Sequence, residues 1–499
     1  MELRIPFVIL VATFVLVNGT MRFKPAYDVK FKPGLDEEIR QRQAENCDAL
    51  MATRPELVAE IQSHQAVADQ IIEYVMNGAL KGKTYDEVHD LVDKHPVRFS
   101  GYQNLEDSID YTLNRMENIH GLENVRGEQV LVPHWVRGEE RAEMLAPWKK
   151  TLSILGLGTT IGTSTDGITG DVLVVISFED LAAKQAQVPG KIVVFNQAWV
   201  DYSSGYIYRN QGASQASQYG AIASLIRSVA PFSLDTPHTG GQNYWSNVTH
   251  IPSACITIED AELMYRLQQK GERITVSLKM LDYNLPLTTS RNVIGEIVGS
   301  SKPDEFVAVS GHIDSWDLGQ GVMDDAGGCM ISVMALAAIK ALNLRPTRTL
   351  QTILWTSEEP GLWGVEDFVK QHMDILINYS AVFESDSGTF DPLGLDFAGS
   401  ELAGCIVNEV LKLTASINTT TYQRFPSVSS DIGRLIDQGV PGLSLNNAND
   451  MYFWYHHTTA DTITMADPIE LDKGTALWAV SSFVLANLTE KLPRDPPAP

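Results

Sequence analysis

The chain is poor in cysteine, poor in positive charge and short of long apolar runs. Four cysteines in 499 residues, Cys47, Cys255, Cys329 and Cys405, show no short pair spacing. This excludes a small scaffold stapled by disulfides. Four cysteines still allow three full pairings, and the sequence does not choose among them. Cys329 stands among small and apolar residues and reads as a buried free thiol. Lys and Arg number 38 against 62 Asp and Glu, a formal charge of −24. That balance excludes non-specific nucleic-acid binding, which depends on neutralising phosphates. The apolar run Ile5–Val17 is shorter than the roughly 20 residues a spanning helix needs. No stable membrane span is expected, and no internal repeat is visible.

The same run, with Arg4 before it and Asn18-Gly19 after it, matches a secretory signal. Residues 1–19 are read as a signal peptide cleaved after Gly19. Asn-x-Ser/Thr sequons begin at Asn18, Asn247, Asn378, Asn418 and Asn487. The first would leave with the signal, and the other four suit a secreted glycoprotein. The destination is extracellular, with the lysosome or secretory pathway as the alternative. A length of 499 residues exceeds one core, so two or three domains are expected. The 44% hydrophobic and 20% charged fractions are those of a globular protein.

Chemistry-bearing residues follow one another at strand ends. Gly311-His312-Ile313-Asp314-Ser315-Trp316-Asp317 comes first, then Asp324-Asp325, Glu358-Glu359, Glu384-Ser385-Asp386 and His456-His457. Phe306–Ser310, Thr349–Thr356 and Ser380–Phe383 read as buried strands. Helical stretches at Asp325–Ala341 and Gly361–Met373 separate them. This β-α-β-α-β order predicts a parallel sheet. Sites in such sheets form outside the carboxyl ends of the strands. Carboxylates and imidazoles brought together there suit zinc. Five ligands serve two zincs when one carboxylate bridges, and His312, Asp324, Glu359, Asp386 and His457 make five. Glu358, beside a ligand, is placed as general base. Asp314 is expected to hold the other nitrogen of His312. Asp325 reads as a helix N-terminal charge. Asp317 and Glu384 read as structural, and Asp461 as a turn or supporting residue. The remaining histidines, at 64, 89, 95, 120, 134, 238, 250 and 372, are assigned to the surface or to ordinary hydrogen bonds.

These motifs, together with His457-Thr458-Thr459-Ala460-Asp461-Thr462, resemble those of the M28 co-catalytic zinc peptidases. The longer strings Ser310 to Gly328, Glu384 to Phe390 and Asp431 to Leu445 resemble a secreted branch of that family acting on dipeptides. The resemblance implies two zinc ions per chain with Asp324 bridging. His312 and Asp386 would complete one zinc, Glu359 and His457 the other. It implies that a zinc-activated water attacks the peptide carbonyl while Glu358 takes its proton and passes it to the leaving amine. Many members hold the oxyanion with a tyrosine near the site. Here His456 directly precedes the last ligand and becomes the oxyanion candidate. Free-ended dipeptides and short peptides are the implied substrates, and a homodimer the implied assembly.

The expected fold is α/β, a mixed but mostly parallel sheet sandwiched by helices, with an inserted β-rich domain. Residues 20–148 form the N-terminal part of the catalytic domain, with helices over Asp48–His120, a capping box at Thr84 and Glu87 and a strand at Gly127–Val136. Residues 149–286 resemble the protease-associated insert of several family members. Residues 287–490 complete the catalytic domain, and 491–499 form a disordered tail. The aromatic cluster Tyr452-Phe453-Trp454-Tyr455 is read as pocket wall or core with equal weight. Three rival readings stand beside this one: an aminopeptidase of the same family, a glutaminyl cyclase without the insert, and a non-catalytic transferrin-receptor-like binding protein.

Overall fold

The computed structural model describes residues 46–495. The expected signal peptide, the Asn18 sequon and the end of the expected tail lie outside the described residues. In chain order the strands are β1 (Glu123–Val136), β2 (Glu140–Ala146), β3 (Lys150–Leu152), β4 (Ile154–Gly156), β5 (Ile168–Val175), β6 (Ile192–Phe195), β7 (Ala223–Arg227) and β8 (Ser253–Ile256). They continue with β9 (Thr275–Met280), β10 (Tyr283–Ile297), β11 (Lys302–His312), β12 (Arg348–Trp355), β13 (Tyr379–Glu384), β14 (Pro392–Ala398), β15 (Thr421–Arg424) and β16 (Gly442–Asn447). The helices that matter below are α1 (Gln65–Met76), α2 (Lys83–Lys94), α3 (Tyr202–Ser217), α4 (Gly327–Ala341), α5 (Trp363–His372), α6 (Tyr452–Tyr455) and α7 (Pro468–Asn487).

The first sheet has the order β1-β10-β12-β11-β13-β16-β14-β15. Its centre is parallel: β11 pairs β12 and β13, and β13 pairs β16, all in parallel register. β12 and β13 are buried along their whole length, as strands covered on both faces must be. Their side chains alternate between two cores. Val307, Val309, Leu350 and Leu354 pack with residues of α1, α2, α4 and α7. Ala308, Ile353 and Trp355 pack on the other face with Val365 and Phe368 of α5. The expected sandwich is therefore observed. The segment Val322–Ala341 has the length and apolarity of a spanning helix, but it is buried from Val322 to Ile339 and serves as the central core helix.

Every strand of the second sheet lies between β1 and β10 in the chain, in the order β3-β2-β9-β5-β6-β7-β8-β4. It has its own apolar clusters. Its first strand starts at Glu140, ahead of the expected boundary at residue 149. It is also less purely β than its glycine-rich sequence predicted, because β5, β6, β7 and β8 run parallel and α3 packs on β6 and β7. The chain passes from the first sheet to the second only at 137–139 and returns at 281–282.

Other details depart from the sequence reading. Thr84 does not cap α2. The helix starts at Lys83, the Gly82 N–H is taken by Asp472 at 2.6 Å, and the Thr84 hydroxyl pairs with Thr475 at 2.9 Å. Glu87 turns instead to Arg115 and His120. Residues 491–495, expected to begin a disordered tail, are tied down: Leu492 N donates to Ser380 Oγ at 3.0 Å, and Ser400 Oγ donates to Pro493 O at 2.6 Å. Cys47 and Cys405 form a disulfide, while Cys255 and Cys329 are buried free thiols.

Candidate active site

The parallel centre delivers its chemistry to one edge. His312 ends β11, Glu358-Glu359 follow β12, and Asp386 follows β13. β16 leads into α6 and then directly to His456-His457. Asp324 enters from the turn that starts α4. It stands at the centre of the group. Its Oδ1 lies 3.0 Å from His312 Nε2, and its Oδ2 lies 3.2 Å from His457 Nε2. Asp386 Oδ1 reaches His312 Nε2 at 3.4 Å. Glu359 Oε2 reaches His457 Nε2 at 3.1 Å. All five sequence-predicted ligands thus meet, in two halves sharing Asp324.

Two donor groups are tight enough to share one ion each, with ligand atoms within 4.8 Å: His312, Asp324 and Glu359, and Asp324, His456 and His457. His456, taken from sequence as an oxyanion donor, therefore also stands in ligand range. Its Nε2 is 3.6 Å from Asp324 Oδ2, and its ring stacks on His457 at 3.6 Å between centroids. The donor set fits divalent metal. Asp324 Oδ2 and Glu359 Oε1 are buried and accept no well-formed hydrogen bond. Buried carboxylates without a counter-charge are costly. Oxygen and imidazole donors turned towards one another are what zinc takes.

The electrostatics agree. Burial raises the Asp324 carboxyl, but the hydrogen bond from His312 and the close imidazole of His457 outweigh it and hold the group well below the usual range. Burial lowers the His312 imidazole, and its bonds to Asp314, Asp324 and Asp386 more than reverse this. Burial and the neighbouring Asp324 push Glu359 up to about 7. Glu358 is half-buried and raised well above an ordinary glutamate, first by burial and then by Asp386 and Glu359 against the opposing pull of His312. A carboxyl shifted that way is suited to proton transfer near neutral pH.

Supporting residues hold this edge. Asp314 holds the other nitrogen of His312, as expected, and makes further contacts. Its backbone carbonyl accepts from His312 Nδ1 at 3.1 Å and its carboxylate lies 3.7 Å from the same nitrogen, while that carboxylate also accepts the Glu358 and Glu359 N–H groups at 3.0 and 3.2 Å. It orients Glu358 and Glu359 together. Asp325 accepts His312 N at 3.0 Å and Gly328 N at 3.1 Å, so it is the helix-start acceptor the sequence implied. Asp461 accepts Val322 N and Met323 N at 3.1 and 2.8 Å. Glu384 accepts Ile432 N at 3.1 Å, and Ser430 donates to Asp386 Oδ2 at 2.5 Å. Asp317 forms a two-pronged pair with Arg137 at 2.7 and 2.8 Å.

Residues of the second sheet also reach the site, and sequence reasoning missed them. Thr239 O accepts from His457 Nδ1 at 3.0 Å, and His238, buried, bonds His456 O at 2.8 Å. Trp199 and Tyr202 pack on Phe453, and Phe232 stacks on Trp454. The aromatic cluster is therefore the seam between the two sheets. No local motif announces these contacts, because they join segments far apart in sequence. Arg98, fully buried, was missed for the same reason. It donates to the carbonyls of Ile313, Gln320 and Gly321 and fixes the loop after His312.

Comparison with known proteins follows the same line. Residues 292–481 match Peptidase family M28. Carboxypeptidase Q of Homo sapiens is 47% identical over 443 residues, covering 89% of this chain and 93% of the relative. Carboxypeptidase Q of Xenopus laevis is 45% identical over 87% of this chain and 92% of the relative. The crystal structure of a peptidase M28 precursor from Shewanella amazonensis superposes with a TM-score of 0.82 at 29% identity, covering 88% of this chain and all of that one. A zinc aminopeptidase from Bacillus subtilis shares the fold, with a TM-score of 0.64 at 18% identity over 83% of this chain and 97% of that one. Identity of this order along nearly the whole length, matched by the superposed fold, settles the relationship: the chain belongs to peptidase family M28 and is a metallo-exopeptidase.

Proposed function

We propose that the chain is a secreted two-zinc exopeptidase that hydrolyses dipeptides and short peptides with free termini. The observation that carries the reading is Asp324, which offers one oxygen to His312 and the other to His457. His312 and Asp386 would hold one zinc, Glu359 and His457 the other, with Asp324 shared. Zinc bound there supplies Lewis acidity, polarising a peptide carbonyl and lowering the pKa of water. Glu358 takes the proton of the attacking water on its carboxylate and delivers it to the nitrogen of the departing amine. Asp314 keeps Glu358 facing the site through the Glu358 N–H bond. His456 lies against the same carboxylates as a donor for the oxyanion or a further metal ligand.

The surroundings bear on substrate size. A cavity of about 300 Å³ is lined by Ser387, Ser429, Ser444 and Asn447, next to Asp386 in the chain. None of the five proposed ligands lines it, and the space bounded by Trp316, Asp324, Glu359 and His457 is only about 10 Å³. The second sheet, the proposed protease-associated-like insert, walls one side through Tyr202 and Phe232. The relatives named carboxypeptidase Q favour capture of the C-terminal end, and the aminopeptidase neighbours keep the opposite direction as the alternative. A matched dipeptide series with free, N-acetylated and C-amidated ends tests this. Cleavage of the free form and weak action on both blocked forms is the expected result. Equal rates on free and N-blocked forms would make the enzyme a plain carboxypeptidase. Equal rates on free and C-amidated forms would make it an aminopeptidase.

Secretion, glycosylation and a homodimer complete the proposal. Asn247 and Asn418 are exposed and Asn378 half-buried, open to glycans. Asn487 is the exception, because its side chain bonds Thr347 and Phe483 O. Glycosidase treatment of secreted protein should release glycans from the first three sites and not from Asn487.

A further inference from the structure

Arg209 of α3 is a buried cation, 3% exposed, placed behind a metal-site histidine. Among the described residues no ion pair with a carboxylate accounts for it. Its Nη1 donates to Thr239 O at 3.2 Å and lies 3.4 Å from His457 Nδ1. Its Nη2 donates to the Tyr202 hydroxyl at 2.6 Å. Its Nε has no partner. Thr239 is in turn clasped to His457 twice. Its N–H donates to His457 O at 3.1 Å, and its carbonyl accepts from His457 Nδ1 at 3.0 Å. With Nδ1–H committed to that carbonyl, Nε2 faces Asp324 and Glu359. Gly240 makes room for the arrangement, since a Cβ there would stand 2.2 Å from Arg209 Cζ. The Tyr202 ring stands edge-on to His456 at 5.0 Å and stacks on Phe453 at 5.0 Å. One guanidinium therefore anchors both the carbonyl that aims His457 and a phenol on the seam beside His456.

An isolated buried guanidinium is costly to the fold. A purely structural role would be served as well by an apolar side chain packed on Tyr202 and Tyr206. What only the forked cation supplies is two fixed donors at once. We propose that Arg209 is a positioning residue for His457, through which the second sheet sets the zinc affinity of the half-site made by Glu359 and His457. The proposal rests on the two-zinc reading above. Outer partners of a metal-bound histidine typically change metal affinity about 10–100-fold.

The test is competition for zinc against a chromophoric chelator, using the full chain with Arg209→Met and Arg209→Lys. Wild type should hold two zincs. Arg209→Met should hold the first with unchanged affinity and the second about 10–100-fold more weakly. Arg209→Lys, which keeps charge and stem but loses the fork, should fall between. Excess zinc should restore turnover of both variants, and because bound zinc would also offset a general loss of stability, the melting temperature of the zinc-free variants, expected to match zinc-free wild type, separates the two. If Arg209→Met fails to fold, Arg209→Lys decides alone. Two zincs bound as tightly as in wild type by a folded variant would overturn the inference and leave the two-zinc reading intact. Wild type that binds no zinc would remove the reading itself.

Discussion

Single residues carry the chemistry, and each can be questioned alone. If two zincs share Asp324 as proposed, Asp324→Ala should release both, because its two oxygens lie 3.0 Å from His312 and 3.2 Å from His457. His312→Ala should release one more readily than the other. Metal analysis after dialysis reads the difference, and equal retention in the two variants would contradict a shared carboxylate. Glu358→Gln should keep the zinc and lose about 10²–10⁴-fold in turnover, the usual loss when a general base is removed. A rate near wild type would move the base elsewhere. The positions of His312 and Glu358 were legible because each stands at the end of a strand whose apolar run is unmistakable, and that of Asp324 because it precedes an apolar helix. Asp314 was given its contact with His312, but sequence cannot show that its carboxylate also takes the Glu358 and Glu359 N–H groups after the strand next door. Arg209, Thr239 and Arg98 were illegible for a harder reason. Their partners are backbone carbonyls, which every residue owns and no motif marks.

At the scale of elements, the site depends on how closely α4 approaches β11. Gly311 and Gly328 permit it. A Cβ on Gly328 would lie 2.2 Å from Ser385 O and 2.3 Å from Asp325 Oδ1, and one on Gly311 would lie 2.4 Å from Asp325 Oδ2. Gly328→Ala must push the helix start away from the strand ends. Overpacking of this kind costs about 1–3 kcal/mol, and it should lower both the melting temperature and zinc retention. A variant with wild-type melting and metal content would show that the helix start yields freely. The parallel strands and their helices were legible because burial on both faces writes a continuous apolar run. The start of α2 was not. Thr84 and Glu87 have capping-box spacing, but tertiary partners from α7 and beyond claim them. The second sheet was recognised as a separate block, yet its glycines hid the helices between its strands.

At the scale of the molecule, two links tie distant parts together. Cys47–Cys405 joins segments 358 residues apart. Cys405→Ala should cost about 2–5 kcal/mol in denaturant unfolding, with turnover of the folded enzyme unchanged. No loss of stability would show that the bond constrains little. The neck between the sheets is the second link. Asp282 accepts Gly138 N at 2.8 Å, and a Cβ on Gly156 would touch both Glu140 and Asp282, so the two carboxyls converge there. Burial and then Glu140 push Asp282 from 3.8 up to about 7. A carboxyl raised on folding stabilises fully below its unfolded value, and that contribution is lost as pH climbs to about 7. Asp282→Asn should therefore flatten part of the fall in melting temperature between about pH 4 and 7. Identical slopes in the two proteins would exclude this pair as the source. The neck has a further consequence for the order of assembly. β1 pairs with β10, yet a ribosome finishes β1 long before β10 exists. Its pairing edge must wait while the whole second sheet is synthesised. Once that sheet folds, its two ends emerge side by side and deliver β10 against β1, so during synthesis the wall of the site is built before the site.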